Sequence, residues 1–92
     1  MFQVLVVEDD SSLRRLISAA LKQNGYIPFT AEDGEKALDV LEKTNIDLII
    51  SDIMMPNMDG YELTRQLRQA KYDIPILMVT AKESFEDKQK GF

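Results

Sequence analysis

The sequence contains no cysteine and no histidine. Without cysteine there is neither a disulfide nor thiol chemistry. Without histidine the chain cannot build a serine–histidine relay, a histidine metal site or a phosphohistidine from its own residues. Long apolar runs are missing too. No stretch has the length of a membrane span, and the opening "MFQVLVVEDD" enters a strand pattern with no basic leader before it. A cytoplasmic protein that does not touch the membrane is therefore expected. Positive charge is also scarce: 11 Lys and Arg stand against 16 Asp and Glu, a net charge of −5. A nucleic-acid surface needs clustered cations, so none is expected among these residues. No linker, repeat or low-complexity segment interrupts the chain. With 92 residues, 45% of them hydrophobic, there is enough apolar material for one cored domain spanning residues 1–92.

What is present alternates between strand and helix patterns. "FQVLVV" at 2–7 is a continuous apolar run of strand length. Ser11 or Ser12 then caps a predicted helix with Leu13, Leu16, Ile17, Ala20 and Leu21 on one face, and Asn24-Gly25 stops it. A second strand is predicted at 26–31, on a sheet edge because Pro28 has no N–H for a ladder. A helix over 34–43 faces inward through Ala37, Leu38, Val40 and Leu41. The third strand is "DLIIS", 47–51. "DGYE" at 59–62 reads as a capping box for a helix with Leu63, Leu67 and Ala70 inward. The fourth strand is "IPILMV", 74–79, and "SFED" at 84–87 looks like a further capping box.

Strands apolar on both faces and separated by helices imply an α/β fold, a doubly wound parallel sheet covered on both sides. Right-handed crossovers bring the carboxyl ends of all strands to one edge, where such sheets bind ligands. Glu8, Asp9 and Asp10 follow the first strand, Asp52 the third and Thr80 the fourth. In a flavodoxin-like order the first and third strands are neighbours about 4.8 Å apart. Several carboxylates then share one pocket, and their repulsion costs stability unless a cation sits among them. Oxygen-only ligands favour a hard ion: Mg²⁺ first, with Mn²⁺ or Ca²⁺ as substitutes. The competing reading is that acids cap helices, and Asp10 before "SSL" fits that role well. Beside a divalent ion, Asp52 is a candidate nucleophile that would form an acyl phosphate, with the Thr80 hydroxyl donating to a phosphate oxygen.

"VLVVEDD", "DLIISDIMMPNMDG" and "ILMVTAK", in this order and spacing, closely resemble the receiver domain of two-component response regulators. The resemblance implies that Asp52 accepts a phosphoryl group from a sensor histidine kinase in an Mg²⁺-dependent reaction. It makes Glu8 and Asp9 the acidic pair, with Asp9 the direct metal ligand and Glu8 acting through water. It makes Met54 the residue that offers a backbone carbonyl to the metal, and Thr80 the switch hydroxyl. The absent histidine then belongs to the partner. The implied molecule is a phosphoacceptor signalling domain rather than an enzyme with a substrate of its own. It would switch an effector domain or a downstream protein. "GYELTRQLR" and "TAKESFEDK" resemble receivers joined to winged-helix DNA-binding domains, so the parent is expected to be a transcription regulator whose DNA contacts lie in a further C-terminal domain.

Receivers also carry a lysine at the end of a fifth strand, a switch aromatic on that strand and a last helix. The sequence stops at Gly91-Phe92 before any of these, so the resemblance implies the N-terminal three quarters of a receiver, strand order 2-1-3-4, with the fifth strand and last helix missing. An apolar fourth strand would then be an open edge, and a homo-oligomer is one expected consequence. Lys82 follows Thr80 too closely to replace the lysine and reads as a solvated charge. Met54, Met55 and Met58 read as loop and core filler, Tyr61 and Leu63 as packing residues, and Arg65, Arg68 and Lys71 as a solvated helix edge. Two alternatives share the metal chemistry or the fold. An Mg²⁺-dependent phosphatase with an aspartyl nucleophile wants a second acid two residues on, where this chain has Met54. A flavin carrier wants a phosphate cradle after the first strand, where "EDDSS" would repel phosphate. An unphosphorylated scaffold would use only its surface and would need no metal.

Overall fold

Among the described residues, seven elements run in strict alternation: β1 (Gln3–Val7), α1 (Ser11–Gln23), β2 (Ile27–Ala31), α2 (Gly34–Lys43), β3 (Leu48–Asp52), α3 (Gly60–Gln69) and β4 (Ile76–Val79). They are seen in a computed structural model, which describes residues 1–52 and 60–79. The strands form one parallel sheet in the order β2-β1-β3-β4. This is the order the sequence implies, and it places Pro28 on the edge strand β2, opposite Val4 of β1.

Alternation along the strands divides the core between the two faces of the sheet. Leu5 and Val7 of β1 join Ile49 of β3, Ala37 and Leu41 of α2, and Leu63 and Leu67 of α3 in one buried cluster. Leu38 and Val40 pack against it half-buried. The opposite face carries Val4 and Val6, both buried, under α1, which lies over β1 and β2. Leu77 of β4, on that same face through its pairing with Ile50, remains 53% exposed.

α1 starts one residue earlier than its serines suggest. Asp10 is the N-cap, its carboxylate accepting from the Ser12 and Leu13 amides, so Ser11 and Ser12 are helical instead. An aspartate in extended conformation does this well because its short side chain reaches the orphan donors of the first turn. Leu13, Ile17 and Leu21 form the half-buried stripe, whereas Leu16 and Ala20 are exposed, contrary to expectation. They lie to one side of that stripe, at the flank of the helix's apolar arc. At the other end, Gly25 with φ +88° completes a Schellman closure: Tyr26 N–H donates to Leu21 O and Gly25 N–H to Lys22 O.

α2 is capped by Asp33, which accepts from the Lys36 amide. α3 buries Leu63 and Leu67 as expected, but Ala70 is exposed because the helix has already ended at Gln69. Tyr61 is also exposed, at 62%, and does not pack as the sequence led us to expect. The basic edge of α3 is only partly solvated charge. Arg65 pairs with Glu62 one turn back, which raises its pKa through the hydrogen bond and the opposite charge. Arg68 instead donates to the carbonyls of Tyr72 and Ile74, tying down the segment into β4. β4 begins at Ile76 rather than 74; Pro75 contributes its carbonyl, which accepts from Ile49 N–H, but has no N–H of its own. The capping residues 59 and 84–87, the loop methionines and Lys82 lie outside the described residues.

Candidate functional site

Parallel register brings the acids together. Val7 of β1 pairs with Ser51 of β3, so the next residue on each strand, Glu8 and Asp52, meet at adjacent carboxyl ends. Glu8 prolongs the line of β1 by one bond, its N–H donating to Ala31 O at 3.0 Å. Asp9 follows in the β1–α1 turn. One carboxylate oxygen from each of Glu8, Asp9 and Asp52 lies within 4.8 Å of the other two. Glu8 and Asp52 are 2% and 3% exposed, while Asp9 opens to solvent.

Asp10 does not join them. Its carboxylate serves α1, and its own N–H donates to Glu8 Oε2 at 2.9 Å. The helix cap and the acidic pocket thus use successive residues for different work. The remainder of the turn is held from α1, where Arg14 Nη1 donates to Glu8 O at 2.7 Å. At β3, the buried Ser51 hydroxyl donates to Asp52 O. Arg14 carries no recognisable mark in the sequence, since a basic residue on an amphipathic helix is ordinarily solvated. Only the reach of its side chain back towards the helix N-terminus reveals it. Thr80 and Met54 lie outside the described residues, so of the five residues singled out, the structure brings Glu8, Asp9 and Asp52 together.

Three clustered carboxylates, two of them buried, repel one another and favour a cation. The donor set is all oxygen, which suits Mg²⁺ or another hard divalent ion. Oxygens within 4.8 Å of one another are close enough to share one such ion, directly or through a bound water. Asp52, at the end of β3 between β1 and β4, is a buried carboxylate with two further acids beside it. That arrangement supports nucleophilic attack on phosphorus, with charge neutralised nearby. Among the described residues no helix is long and apolar enough to cross a membrane.

Comparison with known proteins gives a consistent result. The chain is 47% identical over 87 residues to the sensor histidine kinase RcsC of Escherichia coli, covering 95% of this chain and 9% of that protein. It is 46% identical over 89 residues to the alkaline phosphatase synthesis transcriptional regulatory protein PhoP of Bacillus subtilis, covering 97% of this chain and 37% of that protein. The chain therefore spans well under half the length of these relatives. Among solved structures it resembles the response regulator protein TrrA of Thermotoga maritima in complex with Mg²⁺-BeF, with a TM-score of 0.79 and 40% identity over 85% of this chain and 68% of that one. The model of the response regulator receiver domain matches residues 4–92. With the parallel sheet in the expected order and the acids converging at its carboxyl edge, the chain belongs to the response regulator receiver domain family, a family of signalling domains.

Proposed function

We propose that Asp52 is the phosphoacceptor of this receiver, taking its phosphoryl group from a sensor histidine kinase in the cytoplasm. The observation that carries the proposal is the convergence of Glu8, Asp9 and Asp52 within 4.8 Å at the carboxyl edge of the sheet. In the transfer, an Asp52 carboxylate oxygen forms a bond to phosphorus as the phosphorus–nitrogen bond to the kinase imidazole breaks. An acyl phosphate and a free imidazole result. Asp9 and Asp52, with the Met54 carbonyl, would hold the metal directly and Glu8 through water. This division of labour is supported by the burial of Glu8 and by the Asp10 amide that occupies its Oε2. Mg²⁺ (or Mn²⁺) would supply neutralisation of the charge gathering on the phosphoryl oxygens. Thr80 would report the modification, its hydroxyl donating to a phosphoryl oxygen and drawing the segment after β4 towards Asp52.

The output surface would then act on an effector domain or a separate protein. Similarity to PhoP, a transcriptional regulatory protein, supports a DNA-binding parent whose DNA contacts lie beyond these residues. Similarity to RcsC, a sensor histidine kinase, supports a second reading in which the same module sits in a kinase. The test is phosphorylation with acetyl phosphate, or with a phosphorylated histidine kinase, followed by intact-mass measurement. One alkali-labile phosphoryl group is expected only when divalent metal is present, and none in Asp52→Asn. Thr80→Ala should still be labelled but should lose the coupling to output. Labelling that survives Asp52→Asn would place the acceptor elsewhere.

A further inference from the structure

Glu8 is fixed from three directions. Its N–H donates to Ala31 O at 3.0 Å, its Oε2 accepts from the Asp10 amide at 2.9 Å, and its carbonyl accepts from Arg14 Nη1 at 2.7 Å. The first continues the ladder between β1 and β2, and the second is made within the turn. The third is made by a side chain six residues on, from the fourth residue of α1. Helical side chains lean towards the N-terminus of their helix, so a long residue at this position passes over the β1–α1 turn. Arg14 is half-buried there, and its bond is short and charge-assisted. The carbonyl it holds is in the peptide plane that leads directly into Asp9. That peptide plane sets where the Asp9 carboxylate stands relative to Glu8 and Asp52.

We propose that Arg14 is a positioning residue for the acidic pocket: by holding the Glu8 carbonyl it orients the Glu8–Asp9 peptide and keeps the turn in its metal-receiving shape before any ion arrives. The inference rests on the reading of Glu8, Asp9 and Asp52 as a divalent-cation pocket. Three mutually repelling carboxylates tend to push this turn open when no cation is bound. A cationic side chain anchored to the backbone of the turn opposes that tendency without entering the pocket as a competing ligand. Metal sites depend on such outer partners, whose loss typically weakens metal affinity about 10- to 100-fold.

The sign of the effect separates positioning from simple charge. Removing a positive charge near an acidic pocket should, by electrostatics alone, tighten the binding of a cation. Arg15, the next residue, has the same charge, is exposed and makes no bond to the turn among the described residues, so it is the control. Mg²⁺ titration by calorimetry on the 92-residue chain should show binding about tenfold weaker in Arg14→Gln, and binding no weaker than wild type in Arg15→Gln. Arg14→Lys, which keeps the charge and a donor but loses the planar fork, should fall between wild type and Arg14→Gln. In the metal-free protein, the Asp10 amide should lose hydrogen-exchange protection in Arg14→Gln and keep it in Arg15→Gln. If Arg14→Gln binds Mg²⁺ as tightly as Arg15→Gln, the proposal is overturned. Should Arg14→Gln melt below the assay temperature, Arg14→Lys decides, and wild-type affinity there overturns the proposal equally. A wild-type chain that takes up no Mg²⁺ would instead remove the pocket reading on which the inference stands.

Discussion

Lys71 adopts φ +67°, a left-handed conformation that a lysine reaches only at a cost. The reason lies in how α3 closes. Tyr72 N–H donates to Leu67 O and Lys71 N–H to Arg68 O, the same pair of bonds that closes α1 around Gly25. One closure uses the residue suited to it and the other does not. Arg68 adds bonds to the Tyr72 and Ile74 carbonyls, and Tyr72 and Ile74 pack against the core, so the surroundings hold Lys71 in place. Relief of the left-handed penalty, about 1–2 kcal/mol, is partly offset by the extra backbone entropy of glycine, about 0.5–1 kcal/mol. Lys71→Gly should therefore raise stability by about 0.5–1 kcal/mol, read as a higher urea midpoint with unchanged slope. A lower midpoint would show that the Lys71 side chain contributes more than its backbone costs. The contrast also shows what the residues reveal by themselves. Asn24-Gly25 announces a helix stop because glycine is the natural occupant, whereas nothing in "RQAKYD" announces one; there the turn is imposed by Arg68 and the packing of Tyr72. The acids behave like the first case. Glu8, Asp9 and Asp52 are legible because charge directly after a buried strand is otherwise hard to explain, while Arg14 acts through a backbone carbonyl and leaves no pattern.

The three helices among the described residues bury themselves unequally. α3 has Leu63 and Leu67 at 0% exposure, and α2 buries Ala37 and Leu41, but α1 has no fully buried residue. Periodicity finds all three helices, since apolar residues at intervals of three and four mark a face whatever lies opposite. It cannot tell how much of that face will be covered, because coverage depends on what packs opposite. For α1 the stripe Leu13, Ile17 and Leu21 is half-buried and Leu16 is left 67% exposed. Mutation should expose this difference between residues of the same type. Leu67→Ala leaves a hole between α3 and the sheet and should cost about 2–5 kcal/mol. Leu16→Ala removes an exposed side chain and should stay within about 0.5 kcal/mol of wild type, helped by the helix propensity of alanine. Equal losses in thermal or chemical denaturation would mean that Leu16 is covered in solution, by a neighbouring molecule or by residues outside those described.

At the scale of the whole sheet, the two edges are protected differently. β2 carries Pro28, which removes one ladder donor from its outer side. β4 has no proline between Ile76 and Val79, and among the described residues it pairs only with β3. Its Leu77 is 53% exposed on the face shared with Ile50, and Ile50 and Leu48 are themselves only half-buried there. An edge that presents free ladder groups beside an apolar surface is a template for another strand. Two facts limit its strength: β4 has only four residues, and a net charge of −5 makes each copy repel the next. Weak, reversible self-association of the 92-residue chain is therefore expected, strengthened by salt because screening removes the repulsion while leaving strand pairing and apolar burial intact. Leu77→Lys places a charge on the exposed face and should suppress it, as lysine does on natural sheet edges. Sedimentation velocity across a concentration series, at low and high salt, decides the matter. Association that is unaffected by Leu77→Lys would locate the contact away from β4, and a monomer at every concentration and salt would show that residues beyond Val79 already cover this edge.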